Sequence, residues 1–446
     1  RNKFLRWSVL FSSLLIVQLA VGQVSYDRIL NSKDEPQNWL TYNGGYMSQR
    51  HSLLQQIDRE NVDQLELKWV LQNQVFGAWQ SNPIIVDGIM YVTERPNSVM
   101  AVDAVTGRVF WKYRHQNADN ALVCCGANNR GVAVLNDKVY MGTLDAHLIA
   151  LDRINGQVLW KAEVGDVNRA YSVTMAPLAV KDKIMVGVGG GEFGIRGYVA
   201  AFDAETGEQA WKTYTIPAPG EPNHDSWEGD DWEHGGAPVW ITGSFDPDLN
   251  LTYWGVGNPG PDWNAGQRPG DNLYSDSAIA LDADTGELKW HFQFTPNDAY
   301  DYDSVQVPVL ADVEWRGESK KIMMWANRNG YFYVLDRTNG QFLEGKPYVK
   351  VNWSSGLDEN GRPIPSPQPE GMPTYPGNQG GTNWYPPSYS PSTGLFYFSA
   401  WENYATIYRA EESEYIPGRA FLGGGFSVLA PSPGAPTIGI GRTSTI

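Results

Sequence analysis

A repeat constrains this chain more than any other feature. The segments AVDAVTGRVFWKY, ALDRINGQVLWKA, AFDAETGEQAWKT and ALDADTGELKWHF share one pattern, and VLDRTNGQFLEGK is a degenerate fifth copy. Asp103, Asp152, Asp203, Asp282 and Asp336 mark the copies, in steps of 49, 51, 79 and 54 residues. In each, an apolar run ends at the Asp and a T-G or N-G turn follows, where Gly supplies a positive φ. The first four copies then place a Trp four residues after that Gly. Upstream, IIVDGIMYVT, VAVLNDKVYMGT and LAVKDKIMVGV alternate as strands do. A period of about 50 residues with several short strands predicts a β-propeller blade of four antiparallel strands. The Trp is then a plug between neighbouring blades. A β-sandwich is the alternative, and five copies of one pattern argue against it.

Composition agrees. The 446 residues are 42% hydrophobic and 19% charged, as in a folded globular chain. Gly (47), Pro (28), Trp (18) and Tyr (23) are plentiful, which favours short strands and tight turns over a helical bundle. The net charge of −16, without a cluster of Lys and Arg, excludes a nucleic-acid partner. Two cysteines exclude both a disulfide framework and a four-cysteine zinc site.

Arg1, Lys3 and Arg6 precede the apolar run WSVLFSSLLIVQLAVG, with small residues at Ala20 and Gly22. This predicts a signal peptide over residues 1–22 and one propeller domain over 23–446. The run is short for a membrane span and no other long apolar stretch exists, so the mature chain is expected in the periplasm without a span. The 79-residue step holds a loop from Pro217 to Gly236, and a second irregular stretch runs from Val351 to Tyr389. Long insertions of this kind tend to build a functional face. The sequence ends without a closing strand, which predicts that the last blades are missing.

Several segments carry chemistry. Cys124 and Cys125 are adjacent in ALVCCGANNRG. Adjacent Cα atoms lie about 3.8 Å apart, below the usual disulfide range of about 4.4 to 6.8 Å. The pair is either a vicinal disulfide or two buried thiols. Gly189 to Gly194 matches G-x-G-x-x-G, but a strand follows where a dinucleotide site needs a helix. What remains is a close backbone approach with Glu192 in its middle. Asn258, Asp262, Asp298, Asp301 and Asp303 offer oxygens to a hard cation assembled across blades. Arg328 stands just before a strand.

Together, CCGANNRG, GGGEFGIRG, GVGNPGPDWN with RPGDN, TPNDAYDYD and the Trp repeats resemble the PQQ-dependent quinoprotein alcohol dehydrogenases, of the methanol and ethanol dehydrogenase type. The similarity runs from about Asn38 to about Arg442. It implies an eight-bladed propeller with PQQ on its axis. It implies a Cys124–Cys125 disulfide on one face of the cofactor and Trp240 on the other. Arg130, Thr174 and the backbone of Gly189, Gly190 and Gly191 would bind its polar groups, with Gln80, Asn383 and Trp384 as further contacts. Glu192, Asn258 and Asp301 would hold the metal, Arg328 would bond the quinone oxygens, and Asp301 would be the general base.

The chain also departs from the family pattern. Gln80 stands where Glu is frequent, and Pro238 where a Thr or Ser contacts the cofactor. Asp303 adds a carboxylate found in lanthanide-dependent members, so lanthanide is placed ahead of calcium. The resemblance implies a primary alcohol as substrate, a cytochrome c as electron acceptor, and leaves homo-oligomerisation open. A quinoprotein for another polyol or sugar is one alternative. A non-catalytic propeller scaffold of outer-membrane assembly type is the other. It predicts a leader ending in Cys and no pocket chemistry, and this leader has no Cys.

Overall fold

The computed structural model describes residues 22–73, 75–429 and 440–445. The leader expected over 1–22 lies outside them except for Gly22. No helix among the described residues is long and apolar enough to cross a membrane. Five four-stranded antiparallel sheets follow one another along the chain, over 84–114, 133–163, 178–214, 244–293 and 309–347. Each is a simple meander, so sequence neighbours are spatial neighbours. Three smaller sheets follow. Two are two-stranded, Ser354–Leu357 with Pro363–Pro365 and Ala405–Ala410 with Gly424–Leu429. The third joins Ser388–Ser390, Leu395–Ala400 and Ile440–Thr445. The all-β propeller expectation therefore stands, with five complete blades of the expected eight among the described residues.

Burial explains why the strands read as they do. The second strand of the second blade, Lys138–Gly142, is buried throughout, because it is covered on both faces. The outer strand Val158–Glu163 alternates between exposed and half-buried positions. The repeat turn is built alike in the first four blades. Asp152 Oδ1 accepts from the backbone N–H groups of Ile154 (2.9 Å) and Asn155 (3.0 Å), and Gly156 follows at φ 72°. A Cβ on Gly156 would lie 2.5 Å from the Trp111 ring of the preceding blade. The Trp111 indole donates to Arg153 O (3.1 Å). Trp160, Trp211 and Trp290 bond Ala204 O, Ala283 O and Arg337 O of the next blade at 3.2, 3.3 and 3.2 Å. Each Trp thus latches one blade to the turn of the next.

A fifth latch lacks the repeat. Trp69 donates to Ala104 O (3.2 Å), and a Cβ on Gly107 would lie 2.7 Å from its ring. The segment around it carries exposed Leu65, Leu67 and Val70.

Residues 24–50 form a strap across the sheets. Val24 bridges Asn136 of the second blade, and Trp39 bridges Ile85 of the first. The Tyr46 hydroxyl donates to Ala179 O (2.8 Å) of the third. Phe245 N of the fourth blade donates to Tyr46 O, Leu310 N of the fifth to Met47 O, and Tyr389 N of the later sheet to Gln49 O, at 3.0, 3.0 and 2.8 Å.

Candidate functional site

Strand register places the site. In the third blade Lys183 pairs with Asp203 at the repeat-turn end, and Gly187 pairs with Val199 at the other. Residues that leave second strands or enter innermost strands at this other end converge on one cavity of about 580 Å³. It is lined by Gln80, Cys124, Cys125, Arg130, Thr174, Gly189, Gly190, Glu192, Trp240, Asp301, Asp303, Arg328, Asn383 and Trp384. Of the residues singled out from the sequence, Gly191, Asn258, Asp262 and Asp298 are not in the lining. Asp298 instead accepts from the backbone N–H groups of Tyr300 (2.8 Å) and Tyr302 (2.7 Å).

Cys124 and Cys125 are joined by a disulfide, with S–S 2.04 Å. The Cys125 sulfur lies 3.9 Å from Glu192 Oε1. Arg130, 6% exposed, donates through Nη1 to Thr174 Oγ1 (2.9 Å) and sits 4.8 Å from the Trp240 ring centre and 5.3 Å from that of Trp384. Burial lowers its guanidinium to about 10. Its Nε, like Gln80 Oε1 and Asn128 Oδ1, is buried without a hydrogen-bond partner.

The glycine run is needed for close approach, but to protein. A Cβ on Gly190 (φ 118°) would lie 2.4 Å from Ala170 O. One on Gly191 would lie 3.0 Å from the Pro238 ring, so Gly191 backs the cavity wall and does not line it. Pro238 itself lines the cavity.

The acidic end is crowded. Arg328, 4% exposed, binds Asp303 Oδ2 through Nη1 (2.7 Å) and Asp301 Oδ2 through Nη2 (2.9 Å), while its Nε donates to Asn378 O (2.8 Å). Asp303 Oδ1 accepts from Trp240 Nε1 (3.3 Å) and from the backbone N–H of Asn258 (3.0 Å). Asn258 therefore stands behind Asp303, with its side-chain amide on Pro259 O (3.3 Å). Burial pushes Glu192 up to about 7, and the Asp303 charge adds to this. Burial also raises Asp301 well above the usual range, with Arg328 opposing and Asp303, Asp262 and Glu192 reinforcing.

Sequence reasoning missed Ser172, Gln379 and Tyr385 in the lining. It also missed Asp276, which is fully buried behind the site with both carboxyl oxygens unpartnered. Asn128 was legible only as part of CCGANNRG.

The residues present suit a flat, polyanionic cofactor with a cation beside it. Two aromatic faces and a partner-seeking guanidinium occupy one part of the cavity. Elsewhere, carboxylates outnumber the positive charge of Arg328, and such groups are costly to bury without a further cation. Gln80 Oε1 and Asn128 Oδ1 remain free to accept from a bound molecule.

Comparison with known proteins points the same way. The family model for the β-propeller domain of PQQ-dependent glucose, ethanol and alcohol dehydrogenases matches residues 39–355. Quinoprotein alcohol dehydrogenase PedH of Pseudomonas putida is 39% identical, over 94% of this chain and 76% of its own length. Lanthanide-dependent methanol dehydrogenase of Methylacidiphilum fumariolicum is 37% identical, over 92% and 72%. The solved quinohemoprotein alcohol dehydrogenase ADHIIG of Pseudomonas putida superposes with a TM-score of 0.86 at 38% identity, covering 91% of this chain and 64% of that one. The chain thus spans about two thirds to three quarters of the length of these relatives. By sequence, by fold and by the furnishing of its cavity, it belongs to the PQQ-dependent quinoprotein alcohol dehydrogenase family.

Proposed function

We propose that this chain oxidises a primary alcohol to an aldehyde in the periplasm, using PQQ and a metal ion, and that electrons leave to a cytochrome c. The observation that carries this is Arg328 bridging Asp301 and Asp303 in the cavity that also holds the disulfide. Arg337 bridges Asp246 and Asp312 in the framework, but only the Arg328 clamp faces a cavity beside a disulfide, which a propeller scaffold does not require.

PQQ, when bound, supplies the quinone that accepts two electrons from the alcohol. Everything else is done by this chain. The disulfide and Trp240 supply two flat walls. Arg130, with Nε still free, pairs with cofactor carboxylates, and Thr174, Gln80, Gly189, Gly190, Asn383 and Trp384 fix its orientation. Gly191 acts indirectly, by letting the loop pack on Pro238. Glu192, Asp301 and Asp303 would hold the cation from the cavity wall, with Asn258 supporting Asp303 from behind, and three carboxylates favour a trivalent lanthanide over calcium by charge balance. Asp301 takes the hydroxyl proton at a carboxylate oxygen. Arg328 holds both Asp301 and Asp303 in place.

The test is dye-linked ethanol oxidation by the chain, reconstituted with PQQ and either lanthanum or calcium. Turnover with lanthanum exceeding that with calcium is expected. No turnover with either ion, together with no PQQ absorbance retained after gel filtration, overturns the proposal.

A further inference from the structure

The cysteine pair sits in residues 115–132, which join the first blade to the second without a strand. Residues 115–127 are exposed or half-buried and only 128–132 are buried, so burial does not set the path of the part before the pair. After the pair, a set of hydrogen bonds holds it, among them three from the Asn-Asn-Arg run. Asn128 Nδ2 donates to Cys125 O (3.0 Å), Asn129 Nδ2 to Gly142 O (2.9 Å) and Arg130 N to Thr174 O (3.0 Å).

Before the pair, much of the anchorage comes from one carboxylate. Asp145, 3% exposed, lies in the turn between the second and third strands of the second blade. It accepts from His115 Nε2 (3.0 and 3.1 Å) and from the backbone N–H of Ala118 (3.1 Å), both on the incoming stretch. From its own turn it accepts from Thr143 Oγ1 (2.6 Å), and His147 Nδ1 lies 3.4 Å away. A carboxylate offers about four acceptor positions, and donors surround them here. Burial works against the charged form, but the bonds from His115 and Thr143, with His147 close by, outweigh it and hold this carboxyl well below the usual range.

The two blades do not need this contact to dock. Trp111 already latches onto Arg153 O, and the Tyr91 hydroxyl bonds the same oxygen (3.5 Å), at the repeat-turn end. We propose that Asp145 is a positioning residue, which holds the 115–123 approach so that the Cys124–Cys125 disulfide is presented to the cavity. Only the cofactor-affinity part of the test rests on the function proposed above.

Two quantities are measured on the cofactor-free chain. One is the rate of disulfide reduction by a water-soluble phosphine, followed by thiol titration. The other is PQQ affinity, followed by tryptophan fluorescence quenching. Asp145→Ala is expected to speed reduction and weaken PQQ binding about tenfold each, the size usual when an orienting group is lost. Asp145→Asn keeps an acceptor oxygen for His115 and Ala118 and recovers most of both. Tyr91→Phe, which removes a blade contact at the far end, leaves both unchanged. A parental reduction rate in Asp145→Ala, or an equal acceleration in Tyr91→Phe, overturns the proposal. If Asp145→Ala does not fold, His115→Ala replaces it, with the same expectation and the same overturning result. Shifted reduction rates without PQQ binding by any variant, the parent included, would retain the positioning role and remove the cofactor.

Discussion

The two ends of these blades use the same side chain in opposite ways. At the repeat-turn end, the carboxylate of Asp203 accepts from the N–H groups of Glu205 (2.9 Å) and Thr206 (2.8 Å). These backbone bonds, led by Thr206, lower its pKa. At the cavity end, Asp301 and Glu192 are half-buried beside other carboxylates, and desolvation raises both. One end spends its charge on local geometry. The other crowds its acids around the single guanidinium of Arg328 and leaves Gln80 Oε1, Asn128 Oδ1 and Arg130 Nε without partners. A framework whose polar groups are locally answered tolerates a site whose polar groups are not.

The sharpest way to break this contrast is at Asp301. Asp301→Ala should lower turnover by about 10³-fold, the scale of a lost general base, with little change in thermal midpoint. Retained alcohol oxidation would sink the base assignment. The opposite prediction holds for a latch. Trp211→Ala should cost about 4 kcal/mol of stability, seen as a lower urea midpoint at unchanged slope, while KM of the folded fraction stays put. A loss of activity without loss of stability would show that latch and site are coupled. Asp303→Ala should lower the ratio of lanthanum-supported to calcium-supported rates by about tenfold. An unchanged ratio would reduce Asp303 to a support for Arg328.

The smallest effect sharpens the framework side. Arg28 pairs with Glu35 (2.7 Å) and with Asp87, and its hydrogen bonds hold both acids below their usual range. A depressed carboxylate gives its stabilisation above the unfolded pKa, near 4, and loses it as the pH falls through the folded value. The thermal midpoint should therefore drop between about pH 5 and 3, and drop less in Arg28→Ala. Equal slopes would mean that the pair contributes nothing.

What was legible in the sequence follows the same division. The repeat could be read because each turn, its Asp, its Gly and its Trp lie within ten residues. Trp69 makes the same latch but lacks the turn before it, so no local pattern announces it. Resemblance brought the right side chains to the cavity, yet not their attitudes. Gly191 faces Pro238, and Asn258 serves Asp303 through its backbone, because side-chain direction is set by tertiary packing. Asp276 sits in an ordinary strand entry, SDSAIALD, and nothing in that string marks a buried, unpartnered acid. The clamp at Asp145 depends on a histidine 30 residues upstream, a separation that no motif spans.

The strap has a consequence for the order in which the molecule is made. Residues 24–50 are synthesised before any blade, but Gln49 bonds the backbone of Tyr389, more than three hundred residues later. Blades form from neighbouring strands as they appear, at little loop-closure cost, while the strap must wait for partners not yet translated. The far end of this early-synthesised strap, at Met47 and Gln49, is therefore among the last parts to settle. Until then, the inner edges that it will cover stand open to other chains.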